Sequence, residues 1–196
     1  MDPSEVRIWR RSERQRLTAL RMALSPAARR AASRAIEDRL HALLSDRPRV
    51  TLGVYWPFRG EFDPRPLVDR LLAADFGIAL PAVVDKRGPL EYRDWRPGEP
   101  LVIGVWEIPV PERRRMVLPE AVLAPLVGFD RHCYRLGNGG GYFDRTLAAL
   151  APRPTAIGVG FEFSLIETIH PQSFDIPMDL VVTEVELRRR PVAPPC

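Results

Sequence analysis

The sequence predicts an α/β fold: a single-domain, open, mostly parallel sheet with helices on both faces, led by two N-terminal helices. From Val50 onward, short apolar runs rich in β-branched residues alternate with stretches of helical apolar spacing. Before Val50 only the helical spacing occurs. The chain has 196 residues, 45% hydrophobic and 28% charged, which suits one domain with a substantial core.

Taken in order, the first helix starts at Ser4 as cap and runs to about Leu24. In "ALSPAARRAASRAIEDRLHALL", Ser25 sits at the N-cap and Pro26 at the first helical position, where no amide donor is needed. Ile36, Leu40, Leu43 and Leu44 then form one buried stripe. "VTLGVYW" reads as a buried strand, and Pro57 to Pro64 as a loop. "PLVDRLLAADF" reads as a helix stopped by Gly77, "IALPAVV" as a strand, and "LEYRDW" as a hairpin partner. The Pro-rich stretch from Pro97 to Pro119 is loop with short extended pieces. "AVLAPLVGFD" is a strand that delivers Asp130 to its end. A glycine loop, the helix "YFDRTLAALA", the strand "TAIGVGF", a short helical "SLIETI" and the strand "LVVTEV" complete residues 1–187. Residues 188–196, "RRRPVAPPC", read as a basic, Pro-rich, solvated tail.

Composition narrows the function. No apolar run is long enough to span a bilayer, and the N-terminus lacks a signal-like apolar stretch, so a cytoplasmic protein is expected. Cys133 and Cys196 make no disulfide framework, and His41, His132 and His170 are too scattered to write a zinc site. The net charge is +4, carried almost wholly by arginine, since Lys86 is the only lysine. That excess suits anionic small molecules. Basic residues are not interleaved with aromatics, so no nucleic-acid partner is expected; small-molecule partners and a monomer or homodimer are.

"RLGNGGGYFDR" concentrates the chemistry. Gly137, Gly139, Gly140 and Gly141 remove the Cβ atoms that would hold a ligand off the backbone, and a helix starts near Tyr142. Exposed amides and the positive end of that helix make an anion site, to which Arg135 and Arg145 add charge. The pattern is neither a P-loop nor the dinucleotide fingerprint. Asp144, in the first helical turn, is either a metal ligand or an acid complementing the helix dipole.

Taken whole, "GFDRHCYRLGNGGGYFDRTLA" closely resembles the signature of the 5-formyltetrahydrofolate cyclo-ligase (methenyltetrahydrofolate synthetase) family, roughly D-x-x-G-x-R-L-G-x-G-x-G-Y-Y-D-R. "RMALSPAARRAASRAIEDRL", "YWPFRGEFDPRPLV", "LPAV", "GVWEIPVP" and "HPQSFDIPMDLVVTE" resemble further segments of the family in the expected order, from about Arg10 to Glu184. The resemblance implies an ATP- and Mg²⁺-dependent enzyme. It would convert 5-formyltetrahydrofolate into 5,10-methenyltetrahydrofolate, ADP and phosphate through a phosphorylated formyl intermediate.

The same resemblance implies roles. Arg135, Tyr142 and Asp144 would be catalytic. Arg10, Arg14, Arg135, Gly137, Asn138, Gly139, Gly140, Gly141, Tyr142 and Asp144 would bind ATP. Tyr55, Glu61, Trp106 and Tyr142 would bind the folate, with Glu61 on the pterin and Trp106 walling a flat ring. Asp144 and Asp179 would hold Mg²⁺, with Asp175 as a rival ligand. Read singly, Asp179 is equally a strand cap, Trp106 equally core, and Arg10 and Arg14 equally a wet helix face. The chain departs from the family pattern by arginine, Arg10 or neighbouring Arg11, for the ATP-side lysine, Glu13 for a leucine, Phe143 for the motif's second tyrosine, and "RHCY" where a glycine often stands. The alternative is a catalytically weakened nucleotide- or RNA-binding member of the same fold.

Overall fold

The computed structural model describes residues 1–45 and 49–191. Two long helices open the chain, α1 (Pro3–Met22) and α2 (Pro26–Ser45). Asp2, two residues earlier than the Ser4 expected from sequence, caps α1. Its carboxylate accepts from the Ser4 and Glu5 amides, and Glu5 reaches back to the Asp2 amide in a capping box. Ser25 caps α2 as expected, accepting from the Ala28 amide at 3.2 Å.

There follow β1 (Thr51–Gly53), α3 (Arg65–Ala73), β2 (Gly77–Val83) and β3 (Leu90–Asp94). A small hairpin of β4 (Leu101–Ile103) and β5 (Pro109–Pro111) occupies the Pro-rich stretch. Next come β6 (Ala121–Pro125) and a second small hairpin of β7 (Gly128–Phe129) and β8 (Arg135–Leu136). The chain closes with α4 (Tyr142–Ala149), β9 (Thr155–Val159), β10 (Leu180–Val182) and β11 (Leu187–Arg189). The seven-stranded sheet runs β11-β10-β9-β6-β1-β2-β3. Its five inner strands are parallel, and β3 and β11 close the edges antiparallel.

Side-chain alternation along the inner strands builds two cores. Leu52, Ile78, Leu80, Leu123, Ile157 and Val182 meet Ile36, Leu40 and Leu44 of α2 and Leu67 and Leu71 of α3. On the other face Ala79, Val122, Ala124, Ala156 and Val181 meet Leu147 of α4. Helix α1 packs over the end of the sheet, where Leu17 meets Val127, Leu136 and Ile169.

Three sequence expectations change. "AVLAPLVGFD" is not one strand: it breaks after Pro125, and Asp130 is a buried turn former that accepts from the His132, Tyr134 and Ile169 amides. "SLIETI" is not helical; a single 3₁₀ turn spans Glu162–Ser164 instead. The sheet also continues past residue 187, because β11 pairs Leu187–Arg189 with β10 and Arg188 ion-pairs with Glu162 and Glu186. The end of the basic tail, with Cys196, lies outside the described residues. Among those residues no helix is long and apolar enough to cross a membrane.

From β1 the chain moves to β2 on one side and later to β6 on the other, so the strand order reverses between β1 and β6. Their carboxyl ends diverge there and leave a crevice, the usual ligand position in open α/β sheets. Leu123, fully buried in the central strand β6, anchors this region from below. Leu123→Ala is expected to cost about 2–5 kcal/mol, read as a lowered urea midpoint with an unchanged slope.

Candidate active site

A cavity of about 440 Å³ opens in this crevice, bordered by Tyr55 beyond β1 and Pro125 at the end of β6. Side chains reach it from α1, the loop after β1, β2, β3, the β4–β5 hairpin, β8, the glycine loop with the start of α4, and the segment carrying Phe174 and Asp175.

The glycine loop forms one wall. Residues 137–144 all line the cavity. Among the described residues, none of their main-chain amides donates a hydrogen bond; the first that does is Arg145, to Gly141 O at 3.0 Å. Gly141 caps α4 with no side-chain acceptor. This leaves a row of N–H groups and the positive end of a helix facing one space, an anion cradle. Three glycines answer to the geometry. Gly139 and Gly141 have φ of +100° and +66°, and a Cβ at Gly137 would run into the Arg135 guanidinium.

Arginines surround this cradle in different roles. Arg14 donates Nε to Gly137 O at 2.7 Å and lays its guanidinium against Gly139. Arg135 is buried, donates Nη2 to Asp144 Oδ2 at 2.8 Å, and lies over the Phe143 ring. Arg145 does not face the cavity. It braces the loop from behind, donating to Gly140 O and Gly88 O, both at 2.9 Å. Arg10 lines the cavity, yet each of its three nitrogens is engaged, by Ile169 O, His170 O and a two-pronged pair with Asp175. Arg10 is therefore neither a wet face nor a free cation.

The acidic residues sort differently from the sequence expectation. Asp144 lines the cavity, its Oδ1 accepting from the Ile176 amide at 3.2 Å. Asp175 lines it too. Asp179 does not. It precedes β10, at the amino end of the parallel strands, where it pairs with Arg153 at 3.0 Å and accepts from the Ala156 amide. The strand-cap alternative describes Asp179, and of the two rivals it is Asp175 that lines the cavity with Asp144. Among the described residues, no group of three or more His, Cys, Asp or Glu side chains gathers to hold a metal ion.

Glu61, only 8% exposed, forms the adjoining wall, against the glycine loop. Its Oε1 accepts from Asn138 Nδ2 at 3.1 Å and its Oε2 from the Phe58 amide at 3.0 Å. Burial pushes its carboxyl above the ordinary range, opposed by the Asn138 hydrogen bond and then by Arg21. Tyr55 is buried and donates its hydroxyl to Phe62 O at 2.9 Å, so it shapes the wall through its ring. Trp106, left open between core and site by the sequence, is 57% exposed and sits edge-on to Tyr142 at 5.4 Å. Its backbone holds φ of +55°, the strained left-handed region. Trp106 and Tyr142 thus make an aromatic rim supported from the backbone.

Sequence reasoning missed Phe174, which is 67% exposed at the cavity edge, and Arg21, behind Glu61. A signal for Arg21 was present: Arg10, Arg14, Leu17 and Arg21 follow helical spacing, so one face of α1 carries them all.

The sequence model of the 5-formyltetrahydrofolate cyclo-ligase family matches residues 6–184. The chain is 34% identical over 140 residues to the 5-formyltetrahydrofolate cyclo-ligase of Escherichia coli (strain K12), covering 68% of this chain and 77% of that one. It is 32% identical over 185 residues to the enzyme of the same name from Mycolicibacterium smegmatis, covering 88% and 94%. The solution structure of Aquifex aeolicus 5,10-methenyltetrahydrofolate synthetase superposes with a TM-score of 0.82 at 28% identity, covering 95% of each chain.

The raised Glu61 carboxyl has a consequence in the ligand-free protein. Its folded pKa lies above the ordinary 4.5. Stability from this group is therefore full below that value and lost as pH rises through the folded pKa. The stability of the wild type relative to Glu61→Gln should fall as pH rises above the ordinary glutamate range. Urea unfolding of both proteins across that rise checks the sign; a rising difference would contradict it.

Proposed function

The chain belongs to the 5-formyltetrahydrofolate cyclo-ligase family, and we propose that it converts 5-formyltetrahydrofolate into 5,10-methenyltetrahydrofolate in the cavity beyond β1 and β6, at the expense of ATP. The observation that carries this reading is one space bounded by unbonded amides on one wall and by a buried carboxylate and an exposed tryptophan on the other. A polyphosphate suits the first wall. A flat ring system with N–H donors suits the second.

The chemistry explains why both are needed. A formamide carbonyl is a poor electrophile, because its nitrogen donates into it. In the proposed reaction the formyl oxygen attacks the γ-phosphorus and ADP leaves. N10 then attacks the formyl carbon and gives up its proton to solvent, and phosphate departs with the former carbonyl oxygen. The protein supplies little covalent help: it aligns the reactants and balances charge. The amides of residues 137–144, Arg14 and Arg135 balance the phosphates. Glu61 orients the pterin, while Trp106, Tyr142 and Tyr55 confine the ring between hairpin and loop. Arg10 contributes through the Asp175 segment that it holds.

The donors suit Mg²⁺ carried in on the nucleotide rather than a resident ion. Each oxygen of Asp144 accepts a single hydrogen bond and keeps a lone pair, and Asp175 lines the same cavity. A hard cation completed by phosphate oxygens and water fits that set. Asp144, with Asp175 nearby, would hold the ion, which when bound neutralises charge on the transferred group.

Two outcomes test the reading. Asp144→Asn is expected to lower kcat by roughly 100-fold or more while circular dichroism stays native, because it removes a charge that the metal–phosphate complex requires. The assay is the near-ultraviolet absorbance of the methenyl product formed from Mg·ATP and 5-formyltetrahydrofolate; undiminished turnover would remove Asp144 from the reaction. Glu61→Gln is expected to raise the KM for the folate about tenfold and that for ATP little, and the reverse order would reassign Glu61 to the nucleotide.

A further inference from the structure

Arg21 lies behind Glu61, away from the cavity. It is 3% exposed and does not line the site, so it has no route to a substrate. Its Nε donates to Arg59 O and its Nη1 to Leu126 O, both at 3.0 Å. The first carbonyl belongs to the loop that carries Glu61, and the second follows β6 at the mouth of the crevice. The remaining nitrogen, Nη2, has no hydrogen-bond partner among the described residues and stands 4.0 Å from Glu61 Oε1. A buried donor left without an acceptor is costly and calls for an explanation. Arg29 reinforces the arrangement, donating Nη1 to Gly60 O and Nη2 to Arg21 O, both at 2.5 Å.

We infer that Arg21 is a positioning residue for Glu61: it clips the loop at Arg59 to the end of β6 and sets a positive charge behind the carboxylate, so that Glu61 meets the folate ionised and in register. This rests on the reading of Glu61 as the folate-side carboxylate. Burial pushes Arg21 and Glu61 alike away from their charged forms. A pair so placed is weakly justified by stability, which favours a role in the site. Lysine could supply the charge but could not hold two carbonyls and face Glu61 at once. The other charged or titratable groups around Glu61 are Arg135 from β8, Tyr55 beyond β1, and Arg59 and Arg29 at its loop, with Asp63 acting on Tyr55.

The test uses the full chain as wild type, Arg21→Met, Arg21→Lys, Glu61→Gln and the Arg21→Met/Glu61→Gln double variant. In the ligand-free proteins, the pH at which the stability difference due to Glu61 changes should move up by about one unit or more in the Arg21→Met background, with Arg21→Lys between. In turnover, Arg21→Met should raise the folate KM about tenfold and leave the ATP KM within about twofold. The charge-balanced double variant keeps the test open should Arg21→Met fold poorly, because its folate KM should equal that of Glu61→Gln alone. An unmoved titration midpoint, or a double variant several-fold worse than Glu61→Gln, would overturn the inference. A midpoint that moves while the folate KM does not would support the pairing and overturn Glu61's role in folate binding.

Discussion

Main-chain amides that have no acceptor within the protein must find one elsewhere, and from Gly137 into the first turn of α4 this chain presents a continuous row of them. Water satisfies such groups at an open surface, but here they face a cavity that the strand order has already opened. The rest of the architecture follows from keeping that row free. Arg135 fills the space a side chain at residue 137 would take, Arg145 donates to the Gly140 carbonyl, and Arg14 donates to the Gly137 carbonyl, so these three side chains fix the loop without taking up its amides. Arg14 and Arg145 hold loop carbonyls, and Arg135 holds Asp144 at the start of α4.

That division of labour extends to the whole crevice, and it explains why a chain with one lysine is so rich in arginine. A guanidinium can grip two or three acceptors in fixed directions, which an ammonium cannot. Arg10 joins Ile169 O, His170 O and Asp175; Arg21 joins Arg59 O and Leu126 O; Arg29 joins Gly60 O and Arg21 O. These clips fasten irregular loops to α1 and to the strand ends. Arg10, which with neighbouring Arg11 is one of two arginines that could stand where the family pattern has lysine, acts in this way and holds the segment that carries Phe174 and Asp175.

The sheet and its covering helices were legible because burial imposes simple periods: α2, α3, β2 and the inner strands all carry them. The glycine loop was legible because few functions need so many missing Cβ atoms before a helix. What stayed hidden depended on distant partners. Asp179 has the residue type of a metal ligand, yet its strand places it at the far end of the sheet beside Arg153. Leu187–Arg189 reads as a charged tail until Glu162 and the open edge of β10 are placed next to it. "SLIETI" has helical spacing, but Leu165, Ile166 and Ile169 are drawn one by one toward the β7–β8 hairpin and α1. In each case a long-range contact outweighed the local pattern.

The amide row is the claim on which the functional account stands, and backbone NMR reads it without waiting for turnover. Titrating Mg·ATP into the isotopically labelled protein should shift the amide resonances of residues 137–144 most strongly, with the Arg14 side chain following. Shifts confined to other surfaces, with residues 137–144 unmoved at saturating nucleotide, would contradict the account.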